Sequence, residues 1–181
     1  MHPEDKLKQI FADSLQTQQM SASLLAEHIS SAALLMTQSL LSGGKLLCYG
    51  DGRASLIARQ FCHNMLHGLH TPRPALPALL LDDVAGPVHM LNALGQHNDI
   101  LLLASFDGEG ERIAAAIETA QQRELHLVAL TARNGGHTAN VLRHHDIEIR
   151  IPADEDARIL ESQCVVVNCL CQLIDQQLLG Q

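Results

Sequence analysis

The chain has 181 residues, which predicts one domain with a core large enough to stand alone. Twelve Lys and Arg against 20 Asp and Glu leave a formal charge of −8. That acidity excludes autonomous DNA or RNA binding, where phosphate neutralisation supplies most of the affinity, and docking on anionic membranes. A hydrophobic content of 46% with 18% charged residues excludes a largely disordered chain, and 2% aromatics without Trp excludes stacking platforms for bases or sugars.

The N-terminus, MHPEDKLKQIFADSLQTQQ, is polar and lacks the apolar region of a secretory signal. No apolar run reaches the ~18 residues that would span a bilayer. The five cysteines (Cys48, Cys62, Cys164, Cys169 and Cys171) are odd in number and sit mostly in apolar stretches. They read as small buried hydrophobes in a reducing cytoplasm. Without a C-x-x-C pair, no zinc site is expected on them.

In chain order, residues 4–42 carry two helix-like segments, closed by Gly43-Gly44. KLLCYG (45–50) reads as a buried strand, 53–67 as a helix and PALPALLL (74–81) as a second strand. DILLLAS (99–105) is a strand apolar on both faces, ERIAAAIETAQQR (111–123) a helix and LHLVALT (125–131) a fourth strand. Asn134-Gly135-Gly136 is a turn, DIEIRIP (146–152) an alternating edge strand and 156–179 a long last helix. This alternation implies a single three-layer α/β/α domain over 1–181. It has five parallel strands and an N-terminal helical arm whose apolar stripe needs the sheet layer or another subunit.

In such sheets ligands bind beyond the carboxyl ends of the strands. Two junctions qualify: G-D-G-R-A-S (50–55) and A-S-F-D-G-E-G-E (104–111). They nominate Gly50, Asp51, Gly52, Arg53, Ser55 and Ser105 as pocket residues. Of the 11 histidines, His144-His145 reads as solvated, and His63, His67 and His70 as a helix surface or subunit contact rather than a metal pair. Asp154, Glu155 and Asp156 read as charges favouring the N-terminus of the last helix. Ser105 has no evident histidine partner that would make it a nucleophile.

The stretches SLLSGGKLLCYGDGRAS (39–55), RPALPALLL (73–81), DILLLAS, VALTARNGG (128–136), DIEIRIPADEDARILES (146–162) and VVVNCLCQLID (165–175) together resemble the SIS (sugar isomerase) domain, in the phosphoheptose isomerase group. The tail with Asn168, and RPALPA, resemble the branch of that group that associates with the replication initiator DnaA. The resemblance implies a flavodoxin-like fold, a homotetramer, a cytoplasmic protein and a DnaA-like partner. It also implies a set of catalytic positions, and there this chain departs. Where the isomerases show H-F-x-x-E, it reads Gln60-Phe61-Cys62-His63-Asn64, with Asn64 in place of the base. Where they show R-I-Q-E and a later histidine, it reads Arg158-Ile159-Leu160-Glu161 and Asn168. Asn64 and Asn168 cannot titrate, so they cannot move the proton of an aldose–ketose isomerisation. Gln60, Asn64, Leu160 and Asn168 also form no zinc shell, so neither cofactor nor metal is expected.

The phosphate loop reads Ser105-Phe106-Asp107-Gly108-Glu109-Gly110, with Glu111 following, so carboxylates stand where hydroxyls are usual. Arg53 pairs either with an anion or with these acids. The connection Asp82–Asn98 looks short, as if a pocket-walling helix were missing. Two functions from different classes follow: a non-catalytic adaptor that binds DnaA and modulates initiation of chromosome replication, or a divergent isomerase of sedoheptulose 7-phosphate. A sugar-phosphate sensor is a third reading. The terminal Leu178 and Leu179 are candidate partner anchors, unless they tuck against the sheet.

Overall fold

The computed structural model describes residues 2–70, 72–82 and 84–180. Helix α1 spans Pro3–Leu41, β1 Leu46–Gly50, α2 Ser55–His67, β2 Ala78–Leu80, α3 Pro87–Leu94 and β3 Ile100–Ala104. They are followed by α4 Glu111–Gln122, β4 His126–Ala132, α5 Gly136–Val141, β5 Ile147–Ile151 and α6 Asp156–Leu179. The five strands form one parallel sheet in the order β2-β1-β3-β4-β5, the flavodoxin-like doubly wound order.

The sheet sorts its apolar residues by the two-residue period of a strand. Leu46, Cys48, Ile100, Leu102, Ala104, Val128 and Leu130 face one layer, with buried residues of α1, α2 and α6. Leu47, Tyr49, Leu101, Leu103 and Leu127 face the other, with those of α3 and α4. Every residue of β1 and β3 is buried, which accounts for their unbroken apolar runs. β5 is the predicted edge strand, and α1 packs beside it.

Three expectations change. The leading segment is one helix of 39 residues, about 58 Å long at 1.5 Å per residue, not two. The polar stretch Gln16–Gln19 interrupts its apolar pattern but contains no Gly or Pro, so the backbone hydrogen bonds continue through it. The strand expected at 74–81 shrinks to three residues, because Pro74 and Pro77 cannot donate to a ladder; β2 lies at a sheet edge, where such a strand is tolerated. The connection 82–98 is not stripped of its helix: α3 lies in it, with Pro87 at its start.

All seven buried residues of α1 lie at or beyond Ser21. The preceding arm runs along α6. Arg158 Nη1 donates to the Ile10 carbonyl at 3.0 Å, and the Ser14 hydroxyl donates to Glu161 Oε2 at 2.8 Å. Its apolar residues stay open, with Phe11 63% and Leu15 62% exposed. Among the described residues α6 alone is long and apolar enough to cross a membrane, and half of that window is buried inside the protein, as in a core helix. All five cysteines are free thiols, buried or half-buried.

Candidate functional site

In the order β2-β1-β3-β4-β5 the crossovers change direction between β1 and β3, and the crevice beyond their carboxyl ends is the natural ligand site. Both nominated junctions converge there. After β1, Gly52–Ala54 make a single 3-10 turn that leads into α2 at Ser55. The turn folds directly over Gly50: a Cβ there would stand 2.3 Å from the Ala54 carbonyl oxygen. Asp51 N–H donates to the Ala104 carbonyl at 3.1 Å, which joins the first loop to the end of β3. A Cβ on Gly110 would lie 3.8 Å from Asp51 Oδ2, so the two loops face each other.

The second loop satisfies itself. The Ser105 hydroxyl accepts from Gly108 N–H at 3.0 Å and lies 3.4 Å from Asp107 Oδ1, to which it donates. Asp107 Oδ1 also accepts from Glu109 N–H at 3.1 Å. Glu109 Oε1 accepts from His137 N–H at 2.9 Å, in the first turn of α5. One hydroxyl and three backbone N–H groups of the kind that cradle a phosphate thus have partners within the protein, and two of the acceptors are anionic. Thr138 locks the loop from α5: its N–H and its hydroxyl both donate to the Gly108 carbonyl, at 3.0 and 2.9 Å. From α6 the buried Gln163 carboxamide donates to the carbonyls of Ser105 and Leu130, at 2.8 and 3.2 Å.

Arg53 takes neither expected partner. Its guanidinium lies 3.3 Å from Asp156 Oδ2 at the start of α6. Arg133 holds the other oxygen of Asp156 at 2.5 Å and reaches the Asp154 carbonyl at 3.2 Å, with Asp107 at 3.9 Å. The acids before α6 are therefore not simple caps. Glu155, the N-cap residue, makes no side-chain cap hydrogen bond, and Asp156 is bonded to two arginines. The mouth is a network of opposite charges already joined to one another. A phosphate would have to displace carboxylates from it.

Deeper, on the face of α2 toward α6, stand the residues at the isomerase positions. Gln60 Nε2 donates to Asn64 Oδ1 at 3.0 Å, and Asn64 Nδ2 donates to Asn168 Oδ1 at 3.2 Å. Asn64 is buried, 2% exposed. Its side chain also hydrogen-bonds Cys171, whose thiol burial pushes up to about 12, so that neighbour stays neutral. Nearby, the fully buried Cys48 thiol is raised well above its ordinary value by its hydrogen bond with Cys62. Three carboxamides in a chain hold and orient hydrogen bonds, but they neither gain nor lose a proton near neutral pH. The zinc implied by the isomerase resemblance does not fit these positions. Gln60, Asn64, Asn168 and the leucine at 160 supply no thiolate, imidazole or carboxylate.

Sequence reasoning overlooked the brace behind this site. Arg73, with its side chain 1% exposed, places Nε 2.6 Å from Asp175 Oδ1. Its Nη1 donates to the Met65 and Pro74 carbonyls at 2.7 and 3.1 Å, and its Nη2 to the Asn64 carbonyl at 3.0 Å. One guanidinium thereby ties the last turn of α2 to α6. The signal was an arginine between two prolines, Pro72 and Pro74, beside an apolar stretch, noticed only as part of a resemblance. Gln163 and Thr138 carried no sequence signal beyond a polar residue within an otherwise apolar or short helix.

His63 and His67 share one face of α2, with ring centroids 4.5 Å apart, and no third ligand joins them among the described residues. His144 is exposed as expected, but His145 is half-buried against His126. Leu178 packs partly on the larger core, whereas Leu179 is 42% exposed. The terminal pair is split between the two roles considered for it.

A family profile described as the SIS domain matches residues 11–132. The chain is 42% identical, over 96% of both chains, to the DnaA initiator-associating protein DiaA of Photorhabdus laumondii, and 40% identical over the same shares to that of Serratia proteamaculans. A phosphoheptose isomerase structure from Francisella tularensis superposes with a TM-score of 0.89 at 36% identity, covering 97% of this chain and all of the other. The chain belongs to the SIS-domain family, in the group that holds the DiaA proteins and the phosphoheptose isomerases.

Proposed function

We propose that this chain is a non-catalytic SIS protein that acts by contact with a DnaA-type replication initiator and so modulates the start of chromosome replication. The observation that carries the reading is the Gln60–Asn64–Asn168 carboxamide chain, which stands where an isomerase needs groups that titrate. The self-bonded loop at Ser105–Glu109 supports it, because a substrate phosphate would compete with anions already in place. Identity of 42% and 40% to proteins named for association with DnaA supplies the partner. A net charge of −8 suits a protein that touches a DNA-binding partner rather than DNA.

The working unit in this reading is a single cytoplasmic SIS domain assembled as a homotetramer. The open apolar stripe of the α1 arm, Leu7, Phe11 and Leu15, is covered by other subunits. The exposed Leu179 contributes to the partner surface, outside the crevice. The competing reading, a divergent phosphoheptose isomerase, draws its support from the 36% identity to the Francisella tularensis isomerase.

Two assays on the same full-length protein separate these readings. The adaptor reading expects capture of purified DnaA at micromolar concentration and no conversion of sedoheptulose 7-phosphate above a blank. Turnover without capture establishes the isomerase instead. Absence of both overturns the adaptor function.

A further inference from the structure

At the amino-terminal end of the sheet, opposite the crevice, the chain gathers three groups that no part of the proposed function uses. His126 opens β4, and His145 and Asp146 lie just before β5. Each brings one nitrogen or oxygen to a point where all three ligand atoms lie within 4.8 Å of one another. The structure assigns to His126, His145 and Asp146 a binding site for a divalent transition-metal ion of the zinc class.

The Asp146 side chain is fully buried at 0% exposure, and both oxygens are fixed: Oδ1 accepts from Leu127 N–H at 2.9 Å and Oδ2 from Arg143 N–H at 2.8 Å. Each carboxylate oxygen keeps a further lone pair, so these bonds orient the group as a ligand without exhausting it. His145 Nε2 lies 3.8 Å from Asp146 Oδ1. The His126 ring meets the His145 ring edge-on, with centroids 4.9 Å apart. Nδ1 of His126 is buried and has no hydrogen-bond partner among the described residues. A buried polar atom left unpaired costs stability, and an ion or water is the usual explanation.

Two imidazoles and a carboxylate select first-row ions such as Zn2+, Co2+ or Ni2+ over Mg2+ or Ca2+, which prefer all-oxygen shells. Three protein ligands leave one tetrahedral position to water, which makes the ion exchangeable rather than a permanent structural zinc. Bound there, it would tie the start of β4 to the turn before the edge strand β5.

The test strips the full-length protein with a chelator, then titrates it with Zn2+ by calorimetry and with Co2+ by visible absorption. The expected result is one ion per chain and a tetrahedral Co2+ spectrum. Affinity should fall by at least about tenfold in both H126Q and H145A, and stay unchanged in H63A/H67A, which removes the other histidine pair. The His145 side chain is 31% exposed, so H145A carries the test if H126Q fails to fold. Unchanged affinity in H145A, loss of binding in H63A/H67A, weak binding at several sites (an adventitious ion only) or no binding at all would each overturn the assignment. DnaA capture does not enter these readouts, so the metal site stands or falls independently of the adaptor function.

Discussion

Arg73→Met removes the guanidinium that joins α2 to α6 and keeps much of its apolar volume. Four contacts go with it, but they differ in weight. The Asn64 and Met65 carbonyls each keep another donor, Gly68 N–H at 2.9 Å and Leu76 N–H at 3.0 Å, so neither is left bare. Among the described residues Asp175 has no such reserve. Its side chain is 12% exposed, and the 2.6 Å bond from Arg73 Nε is the hydrogen bond that compensates its burial. Breaking a buried pair on one side costs about 3–5 kcal/mol, because the remaining charge stays buried. For a chain of this length that corresponds to a fall in Tm of roughly 6–20 °C. Replacing both partners, as R73M/D175L, removes the stranded carboxylate and should bring stability back to within about 1–2 kcal/mol of the unmodified protein. Urea unfolding at one fixed protomer concentration measures all three proteins, since any association of protomers would make apparent stability concentration-dependent. The reasoning is refuted if R73M stays within about 1 kcal/mol of the unmodified protein, or if the double variant is less stable than R73M alone.

Further outcomes follow from the crevice and the chain end. Restoring titratable groups as N64E/N168H should yield no isomerase turnover, because the phosphate loop remains bonded to its own carboxylates; adding D107S to that pair should give the first measurable binding of inorganic phosphate by calorimetry. Gly108→Ala should destabilise the protein by more than about 1–2 kcal/mol in urea unfolding, since its φ is +71° and a Cβ would stand 2.1 Å from the Gly135 carbonyl oxygen. Leu178→Ala should lower stability by about 2 kcal/mol, the low end for a partly buried leucine, with DnaA capture retained. Leu179→Ala should leave the melting curve unchanged and weaken DnaA capture; unchanged capture removes Leu179 from the partner surface.

Local chemistry was enough to write most of the fold from the sequence. Buried strands announced themselves as short apolar runs, Gly43-Gly44 stopped α1, and the last helix was read at its observed bounds, 156–179, because its apolar residues keep a helical period over six turns. The same local reading failed where pattern and backbone diverge. A polar interval suggested a break in α1 that no glycine or proline enforces, and an apolar run suggested a long β2 that two prolines forbid. That the side chains at 64 and 168 cannot serve as acid or base was also legible, since a carboxamide does not titrate in any fold.

What the sequence alone could not decide is which charged group meets which. Arg73 and Asp175 are 102 residues apart, Arg53 and Asp156 are 103, and Asn64 and Asn168 are 104. Each pair joins α2 or its flanks to α6, and only the crossover that lays both helices on one face of the sheet brings them together. Arg53 could as well have met the acids of the second loop by charge alone. It meets Asp156 because Asp107 and Glu109 are turned toward backbone N–H groups, those of Glu109 and of His137 in α5. His126, His145 and Asp146 likewise become neighbours only through the pairing of β4 with β5. Periodicity and turn chemistry act between residues a few positions apart and can be read along the chain. Hydrogen bonds and ion pairs depend on ångström distances between distant segments, and those exist only once the sheet has formed.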